Sequence, residues 1–176
     1  MTTVLVTGSS GFLGGAVADR LAKQGIRTIG LDLVPRSGPT FETIADDLGD
    51  RQRIAKHLTA HRVTHVIHCG GISSPRLASA EAIMAQNVGA SLNLFLACRD
   101  VGVRRCVYAS SVAVLGAFEG VATATTALNP RNPYAFSKAA AEQIIGGLRH
   151  SGSTSFCILR FAGIYGPGRR TGILPN

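Results

Sequence analysis

The chain has 176 residues, of which 45% are hydrophobic and 16% charged, and its formal net charge is +8. This composition excludes a disordered tail and a solvated repeat, because a chain this apolar can bury one sizeable core. No apolar run approaches the roughly 20 residues needed to cross a bilayer, and the first residues lack the basic region of a signal peptide. We therefore expect a cytoplasmic protein with no membrane segment.

The positive charge comes mainly from arginines that are spread along the chain. No run alternates them with aromatic residues, so a solvated surface or attraction for a dianionic cofactor explains them better than nucleic-acid binding. The four cysteines form no CxxC pair, and most lie in apolar runs where cysteine behaves as a small hydrophobic residue. We expect neither a disulfide framework nor a metal site.

Short β-rich runs alternate with longer stretches that are compatible with helices. In chain order, the sequence predicts a strand at 3–7, a helix at 12–23, strands at 28–32 and 41–45, a helix at 51–60, a strand at 64–69, a helix at 80–101, a strand at 106–110, a helix at 134–149 and a strand at 155–161. The strands are near-continuous apolar runs, as in parallel sheets covered by helices on both faces. Right-handed crossovers predict a three-layer α/β Rossmann fold with a doubly wound parallel sheet and a ligand crevice at its carboxyl edge.

A glycine-rich turn, Gly8-Ser9-Ser10-Gly11-Phe12-Leu13-Gly14, joins the first predicted strand to the first helix. Gly8 permits a tight turn, Gly11 lets the backbone approach a pyrophosphate, and Gly14 lets the helix pack closely on the strand. The helix N-terminus offers unpaired N–H groups and a partial positive charge to phosphates. The GxxGxxG spacing also fits an ordinary tight turn, so its interpretation depends on the residues that follow.

Asp32 closes the second predicted strand, about twenty residues after the turn, where dinucleotide-binding folds carry an acidic residue. A carboxylate there can accept hydrogen bonds from the adenosine ribose and would repel a 2′-phosphate, which favours NAD over NADP. Arg36 lies close enough in sequence to pair with a 2′-phosphate instead. A turn-capping role for Asp32 is the alternative.

Tyr134 and Lys138 lie four residues apart in a predicted helix and therefore on one face. Free tyrosine has a pKa near 10, and a neighbouring ammonium would lower that pKa and ease proton abstraction. Ser111 follows the fifth predicted strand, whose carboxyl end would lie beside the start of this helix. A YxxxK spacing also arises by chance, but here it follows a glycine turn, an acidic strand end and a serine-ended strand, in that order.

Seven segments, in this order, resemble the extended short-chain dehydrogenase/reductase family, of the NAD-dependent epimerase/dehydratase kind. They are VTGSSGFLG (6–14), DDLGD (46–50), VIHCGG (66–71), NVGASLNL (87–94), YASSVAVLG (108–116), NPYAFSKAAAE (132–142) and LRFAGIYGPG (159–168). The resemblance covers essentially the whole chain. It implies NAD as the cofactor and a Ser–Tyr–Lys catalytic set at Ser111, Tyr134 and Lys138.

The resemblance also implies which residues hold the cofactor and the substrate. The cofactor set comprises Gly8, Ser10, Gly11, Phe12, Leu13 and Gly14 in the turn, Asp32, Asp47 and Leu48 at the adenosine, Cys69, Gly70 and Gly71 along the ribose and pyrophosphate, Asn87, Ser110, Tyr134 and Lys138 near the catalytic centre, and Phe161, Gly163 and Ile164 beside the nicotinamide. The candidate substrate residues are Ser73, Ser74, Arg76 and Ser111. His68 is expected to be a structural residue at a strand end.

Four positions depart from the family pattern. Leu115 stands where the family often has tyrosine, Gly163 where it often has asparagine, and Gly70-Gly71 where alanines are more usual. The family's substrate-binding portion normally follows the segment at 159–168. We therefore expect residues 1–176 to form one NAD-binding domain, with the usual C-terminal substrate domain absent or truncated.

The function expected from the residues and the resemblance is NAD-dependent oxidoreduction at a secondary alcohol or carbonyl of a sugar or nucleotide sugar. An epimerase, a dehydratase and a dehydrogenase all remain open, as does a sugar-acid substrate such as a uronate. A non-catalytic NAD-binding sensor or scaffold is the alternative from another class. A homodimer is compatible with the resemblance, and nothing in the residues tests it.

Overall fold

The computed structural model describes residues 1–36, 38–74, 76 and 78–169. The strands are β1 Thr3–Thr7, β2 Arg27–Asp32, β3 Glu42–Ala45, β4 His65–His68, β5 Arg105–Ser111 and β6 Ser155–Phe161. The α-helices are α1 Phe12–Lys23, α2 Arg51–Ala60, α3 Ala80–Met84, α4 Ala90–Asp100 and α5 Pro133–Leu148. A π-helical segment, Ala85–Gly89, joins α3 to α4, and a short 3₁₀ helix, Val112–Leu115, follows β5.

The strands form one parallel sheet in the order β3-β2-β1-β4-β5-β6. The chain runs outward from β1 to β3 and then returns to place β4 on the other side of β1. The connections that leave β1 and β4 therefore diverge, and a crevice opens at their carboxyl ends. The predicted Rossmann fold is confirmed.

The two faces of the sheet have separate cores, as alternation along β1 requires. Val4 and Val6 face α1 and pack with Ala18. Leu5 points to the opposite face, where α2, α4 and α5 cover the larger core. The centre of that core includes Phe95 and Tyr108, whose rings meet edge to face at 5.5 Å between centroids.

The predicted helix at 80–101 is interrupted in the structure. The Ser91 hydroxyl donates to the Asn87 carbonyl at 2.5 Å, a contact between residues four apart along the helix. Such back-bonding competes with the backbone ladder, and the π-helical segment lies at this point. The other predicted elements are present, with ends that differ by one residue at most, as helix and strand ends commonly do.

An ion pair between a buried carboxylate and a partly exposed guanidinium ties α5 to β6. Arg160 of β6 donates from Nε and Nη2 to the Glu142 carboxylate, at 2.8 Å for the Nη2–Oε2 contact. The Ser110 hydroxyl of β5 donates to the same carboxylate at 2.6 Å. The Glu142 side chain is only 3% exposed, so its charge depends on these partners for stabilisation.

Replacing Arg160 with methionine should lower the free energy of unfolding by about 3 kcal/mol, because it leaves the Glu142 carboxylate buried without its cation. Urea denaturation of the full-length protein measures this change. The double variant Arg160→Met, Glu142→Gln removes both charges and keeps an acceptor for Ser110, so we expect it to recover most of the loss. A double variant as unstable as Arg160→Met alone would contradict this account.

Candidate functional site

The glycine turn packs backbone against backbone at the centre of the crevice. Gly8 has φ +67°, and a Cβ there would lie 2.7 Å from the Gly70 nitrogen at the end of β4. A Cβ on Gly14 would lie 2.2 Å from the Gly8 carbonyl oxygen. Only glycine fits both positions. Gly11 is the N-cap of α1, and because it has no side chain to cap the helix, the first N–H groups of α1 can bind an anion.

Asp32 is bound to this turn. Its Oδ2 accepts a hydrogen bond from the Ser10 N–H at 2.9 Å, and the Ser10 hydroxyl donates to the Val34 carbonyl at 2.8 Å. The carboxylate thus lies on the crevice wall at the carboxyl end of β2. This position fits the role of ribose acceptor predicted from the sequence.

Arg36 does not share that position. Its guanidinium forms an ion pair with Asp19 of α1 and lies over the Phe41 ring, 5.5 Å from the centroid. In the part of the chain that the structure describes, Arg36 is not among the residues that line the crevice. Among the described residues, the charged side chains that line the crevice are the carboxylates of Asp32, Asp46 and Asp47.

The crevice is a cavity of about 680 Å³. The predicted cofactor residues that line it are Gly8, Ser10, Gly11, Asp32, Asp47, Leu48, Cys69, Gly70 and Gly71. A concave site of this size, with mixed polar and apolar walls, fits a dinucleotide. Its glycine floor, helix N-terminus and terminal carboxylate match the pyrophosphate and ribose of NAD.

Sequence reasoning missed part of the wall. The additional lining residues are Thr7, Leu31, Leu33, Asp46, Ile72, Ala82, Gln86 and Ala90. Three of them, Ala82, Gln86 and Ala90, recur every four residues and so share one helix face. That spacing, on the helix after β4, was a usable signal. Leu33 could have been found from its position directly after Asp32.

The catalytic candidates meet at the end of β5. Ser111 is the last residue of that strand, and Tyr134 lies in the first turn of α5, which Asn132 caps through a hydrogen bond to the Ala135 N–H at 2.9 Å. Lys138 follows one turn later and is 6% exposed. Its Nζ lies 6.0 Å from the centroid of the Tyr134 ring. The structure thus brings the three side chains together.

The Lys138 ammonium has two further contacts. Its Nζ donates to the Ala109 carbonyl at 2.9 Å and lies 4.8 Å from the centroid of the Tyr108 ring. Burial nevertheless lowers the pKa of Lys138 to about 8. The charge of the Lys138 ammonium also affects Cys69 on the crevice wall. Burial raises the pKa of the Cys69 thiol to about 11, and the Lys138 charge partly opposes that rise.

The pKa of Tyr134 differs from the sequence-based expectation. Burial raises it above its ordinary value, and the nearby Ser111 hydroxyl partly opposes the rise in pKa. We expected Lys138 to lower it. The Lys138 Nζ donates to the Ala109 carbonyl and lies 6.0 Å from the centroid of the Tyr134 ring, and desolvation of the phenolate is the larger effect on the pKa.

The remaining predicted residues lie around the crevice and the group of catalytic candidates. Phe12 and Leu13 begin α1, Asn87 and Ser110 are buried in contacts with protein groups, Phe161 pairs with Ser111 across β5 and β6, Gly163 and Ile164 follow β6, and Ser73, Ser74 and Arg76 lie on the loop after β4. Among the described residues, these side chains are not part of the cavity wall.

Within the same residues, no helix has the length and apolar character to cross a membrane, and no three His, Cys, Asp or Glu side chains are placed to hold a metal ion.

Titration of Lys138 should appear in the pH dependence of stability. Its pKa is about 8 in the fold and 10.5 in the unfolded reference, so the unfolded state binds more protons in between, and stability rises with pH through that window. In Lys138→Met this contribution is absent. The free energy of unfolding of wild type minus that of Lys138→Met should therefore increase by about 2 kcal/mol from about pH 7 to about pH 10.

Urea titrations of both proteins at each pH measure that difference, and groups common to both cancel. A difference that stays constant across the window would show that Lys138 keeps an ordinary pKa in the fold.

Comparisons with known proteins agree with the fold. The NAD dependent epimerase/dehydratase family matches residues 4–176. A UDP-glucose 4-epimerase from Azospirillum brasilense is 31% identical over 96% of this chain and 51% of its own length. A uronate dehydrogenase from Pseudomonas putida is 31% identical over 80% of this chain and 53% of its own length.

Among solved structures, MoeE5 in complex with UDP-glucose and NAD superposes with a TM-score of 0.86 at 31% identity, over 96% of this chain and 56% of that one. The chain spans about half the length of the curated relatives it matches. The family match extends over nearly every residue, from the first strand through the glycine turn and the tyrosine helix. This chain belongs to the NAD-dependent epimerase/dehydratase family of extended short-chain dehydrogenases/reductases.

Proposed function

We propose that the protein oxidises or reduces a secondary alcohol or its carbonyl on a sugar or nucleotide sugar, with NAD as cofactor. The observation that carries this proposal is the convergence of Ser111, Tyr134 and Lys138 at the carboxyl end of β5, beside the glycine-floored cavity. The bound nicotinamide would supply the acceptor and donor of hydride. The protein would supply orientation and the movement of the proton.

In the oxidising direction, the Tyr134 phenolate takes the hydroxyl proton of the substrate while hydride leaves the carbinol carbon. In the reducing direction, the phenol returns that proton to the carbonyl oxygen. Burial raises the pKa of Tyr134, so the free site holds the phenol, which is the proton donor. The phenolate needs positive charge beside it, which Lys138 and a bound oxidised cofactor would supply.

Ser111 and Lys138 orient the reacting groups. The Ser111 hydroxyl lies near the Tyr134 phenol and can hold the substrate oxygen in reach of it. Lys138 is fixed by the Ala109 carbonyl, so its remaining N–H groups keep a constant direction. We propose that they bind the nicotinamide ribose.

Asn87, Ser110, Phe161, Gly163 and Ile164 remain proposals as cofactor residues, and Ser73, Ser74 and Arg76 as substrate residues. The last three lie on the loop that continues from the cavity wall at Gly71, and Arg76 is exposed there. A guanidinium at the rim could bind the phosphate of a nucleotide sugar or the carboxylate of a sugar acid.

A sugar-acid dehydrogenase is the second candidate, because the uronate dehydrogenase has the same 31% identity as the UDP-glucose 4-epimerase, over 80% of this chain against 96%. Return of hydride to the opposite face would give an epimerase, loss of water a dehydratase, and release of the ketone a dehydrogenase. A single NAD-binding domain at 1–176, a homodimer and a cytoplasmic location stay predictions.

The substitution Tyr134→Phe in the full-length protein should retain NAD binding and lower kcat by about 10²- to 10⁴-fold, because it removes only the proton-transfer hydroxyl. Steady-state kinetics with nucleotide sugars and uronates, together with NAD titration calorimetry, measure both quantities. Tyr165→Phe is the matched control, since that phenol is 74% exposed and its loss should leave kcat unchanged. Unchanged turnover in Tyr134→Phe would remove this residue from the mechanism and favour the sensor alternative.

The wild-type protein should bind NAD more tightly than NADP, because the Asp32 carboxylate repels a 2′-phosphate and Arg36 is held by Asp19. Asp32→Asn keeps an acceptor for the Ser10 N–H and removes the charge. We expect it to reduce the ratio of the two dissociation constants by about tenfold or more. Tighter NADP binding by the wild type would overturn the role given to Asp32.

A further inference from the structure

A chain of buried polar side chains crosses the sheet behind the cavity. His68, the last residue of β4, is 1% exposed. Its Nδ1 lies 2.6 Å from the Thr7 hydroxyl at the end of β1, and its Nε2 lies 2.8 Å from the Ser91 hydroxyl in α4. The Phe95 and Tyr108 rings pack around it. None of these side chains takes part in the proton transfer proposed above.

The neighbours of His68 fix the direction of every hydrogen bond in this chain. The Ser91 hydroxyl has one proton and donates it to the backbone carbonyl of Asn87 at 2.5 Å. It must therefore accept from His68 Nε2–H. In a neutral imidazole Nδ1 is then an acceptor, and the Thr7 hydroxyl donates to it. The Thr7 oxygen in turn accepts from the Gly70 N–H at 3.2 Å.

The ring is held neutral. Burial, reinforced by the Lys138 charge, lowers the pKa of His68 to about 3. A protonated ring would donate from both nitrogens, to the Thr7 and the Ser91 hydroxyls. The Thr7 hydroxyl would then lose Nδ1 as the acceptor of its own proton. The neutral Nε2-protonated form satisfies every group from Gly70 to Asn87.

Asn87 connects the far end of the chain to the site. Its Oδ1 accepts from the Ile72 N–H at 2.7 Å, and its Nδ2 donates to the Ile72 carbonyl at 3.0 Å and to the Ser137 hydroxyl at 3.0 Å. Ile72 belongs to the cavity wall, and Ser137 lies in α5 between Tyr134 and Lys138. One amide therefore links the two halves of the site.

Gly71 makes this arrangement possible. Its φ is +134°, and a Cβ there would lie 2.7 Å from Asn87 Oδ1. An alanine, which is more usual in the family at this position, would push the Asn87 amide away from Ile72. The glycine is thus matched to the amide contact in this chain.

We propose that His68 is a positioning residue, which holds the cavity wall at Gly70–Ile72 and the catalytic helix α5 in register by orienting Asn87 through Ser91. The proposal rests on the proposed function only for the catalytic role of α5. The relay itself links the end of β1, the end of β4, α4 and α5, which are the elements that must stay aligned for a cofactor in the cavity to reach Tyr134.

The first test uses the wild-type full-length protein and ¹⁵N-labelled histidine. NMR should show His68 with its proton on Nε2, an unprotonated Nδ1 and no titration through the range in which exposed histidines titrate. The signal is assigned by its loss in His68→Gln. A ring protonated on Nδ1, or one that titrates like a free imidazole, would overturn the proposed direction of the relay.

The second test measures NAD affinity by calorimetry and fold integrity by circular dichroism. His68→Leu removes both hydrogen bonds at similar volume and should raise the dissociation constant for NAD about tenfold or more. His68→Gln retains a donor for Ser91 and should recover part of that loss. His65→Leu, in the same strand but outside the relay, is the matched control and should bind as the wild type does.

If His68→Leu does not fold, Ser91→Ala decides, because it removes only the hydroxyl between His68 and the Asn87 carbonyl. A folded His68→Leu or Ser91→Ala with wild-type NAD affinity would overturn the positioning role. These readouts do not require turnover, so their failure is distinct from an unchanged kcat in Tyr134→Phe, which would instead contradict the proposed catalytic function.

Discussion

The site depends on one close approach of two backbones, the glycine turn after β1 and the loop after β4. Because β1 and β4 are neighbours whose connections diverge, these segments meet at the crevice, with a Cβ on Gly8 falling 2.7 Å from the Gly70 nitrogen. No side chain fills the gap, so the N–H groups at the start of α1 remain accessible from the cavity. The same loop leads to Ile72, whose N–H and carbonyl hydrogen bond with the Asn87 side-chain amide, and that amide also donates to Ser137 of α5.

The proposed catalytic centre lies in an environment that disfavours charge. Lys138 is buried against the Ala109 carbonyl and the Tyr108 ring, and its pKa falls to about 8. Burial likewise raises the pKa of Tyr134. Both shifts disfavour the charged forms. That of Lys138 brings its pKa towards neutrality, and that of Tyr134 keeps the phenol protonated. The ion pair of Glu142 and Arg160 fixes α5 beneath these groups.

Much of this arrangement could be predicted from the sequence. The first helix, the glycine turn, Asp32 at its strand end and the tyrosine helix all followed from local patterns of turn residues and periodicity. The interruption at Asn87 did not, because it depends on a side-chain hydroxyl competing with the backbone ladder. The direction of Arg36 and the raised pKa of Tyr134 depend on tertiary neighbours and burial, which spacing along the chain does not encode.

The most direct test of the central claim is an experimental structure of the full-length protein with NAD bound. The account predicts the pyrophosphate at the Gly8–Gly14 turn, the adenosine ribose on Asp32, and the nicotinamide between Gly70–Gly71 and the Tyr134 phenol, within hydrogen-bonding reach of a substrate oxygen held by Ser111. A cofactor bound elsewhere, or a nicotinamide separated from that phenol by the bulk of the protein, would contradict it.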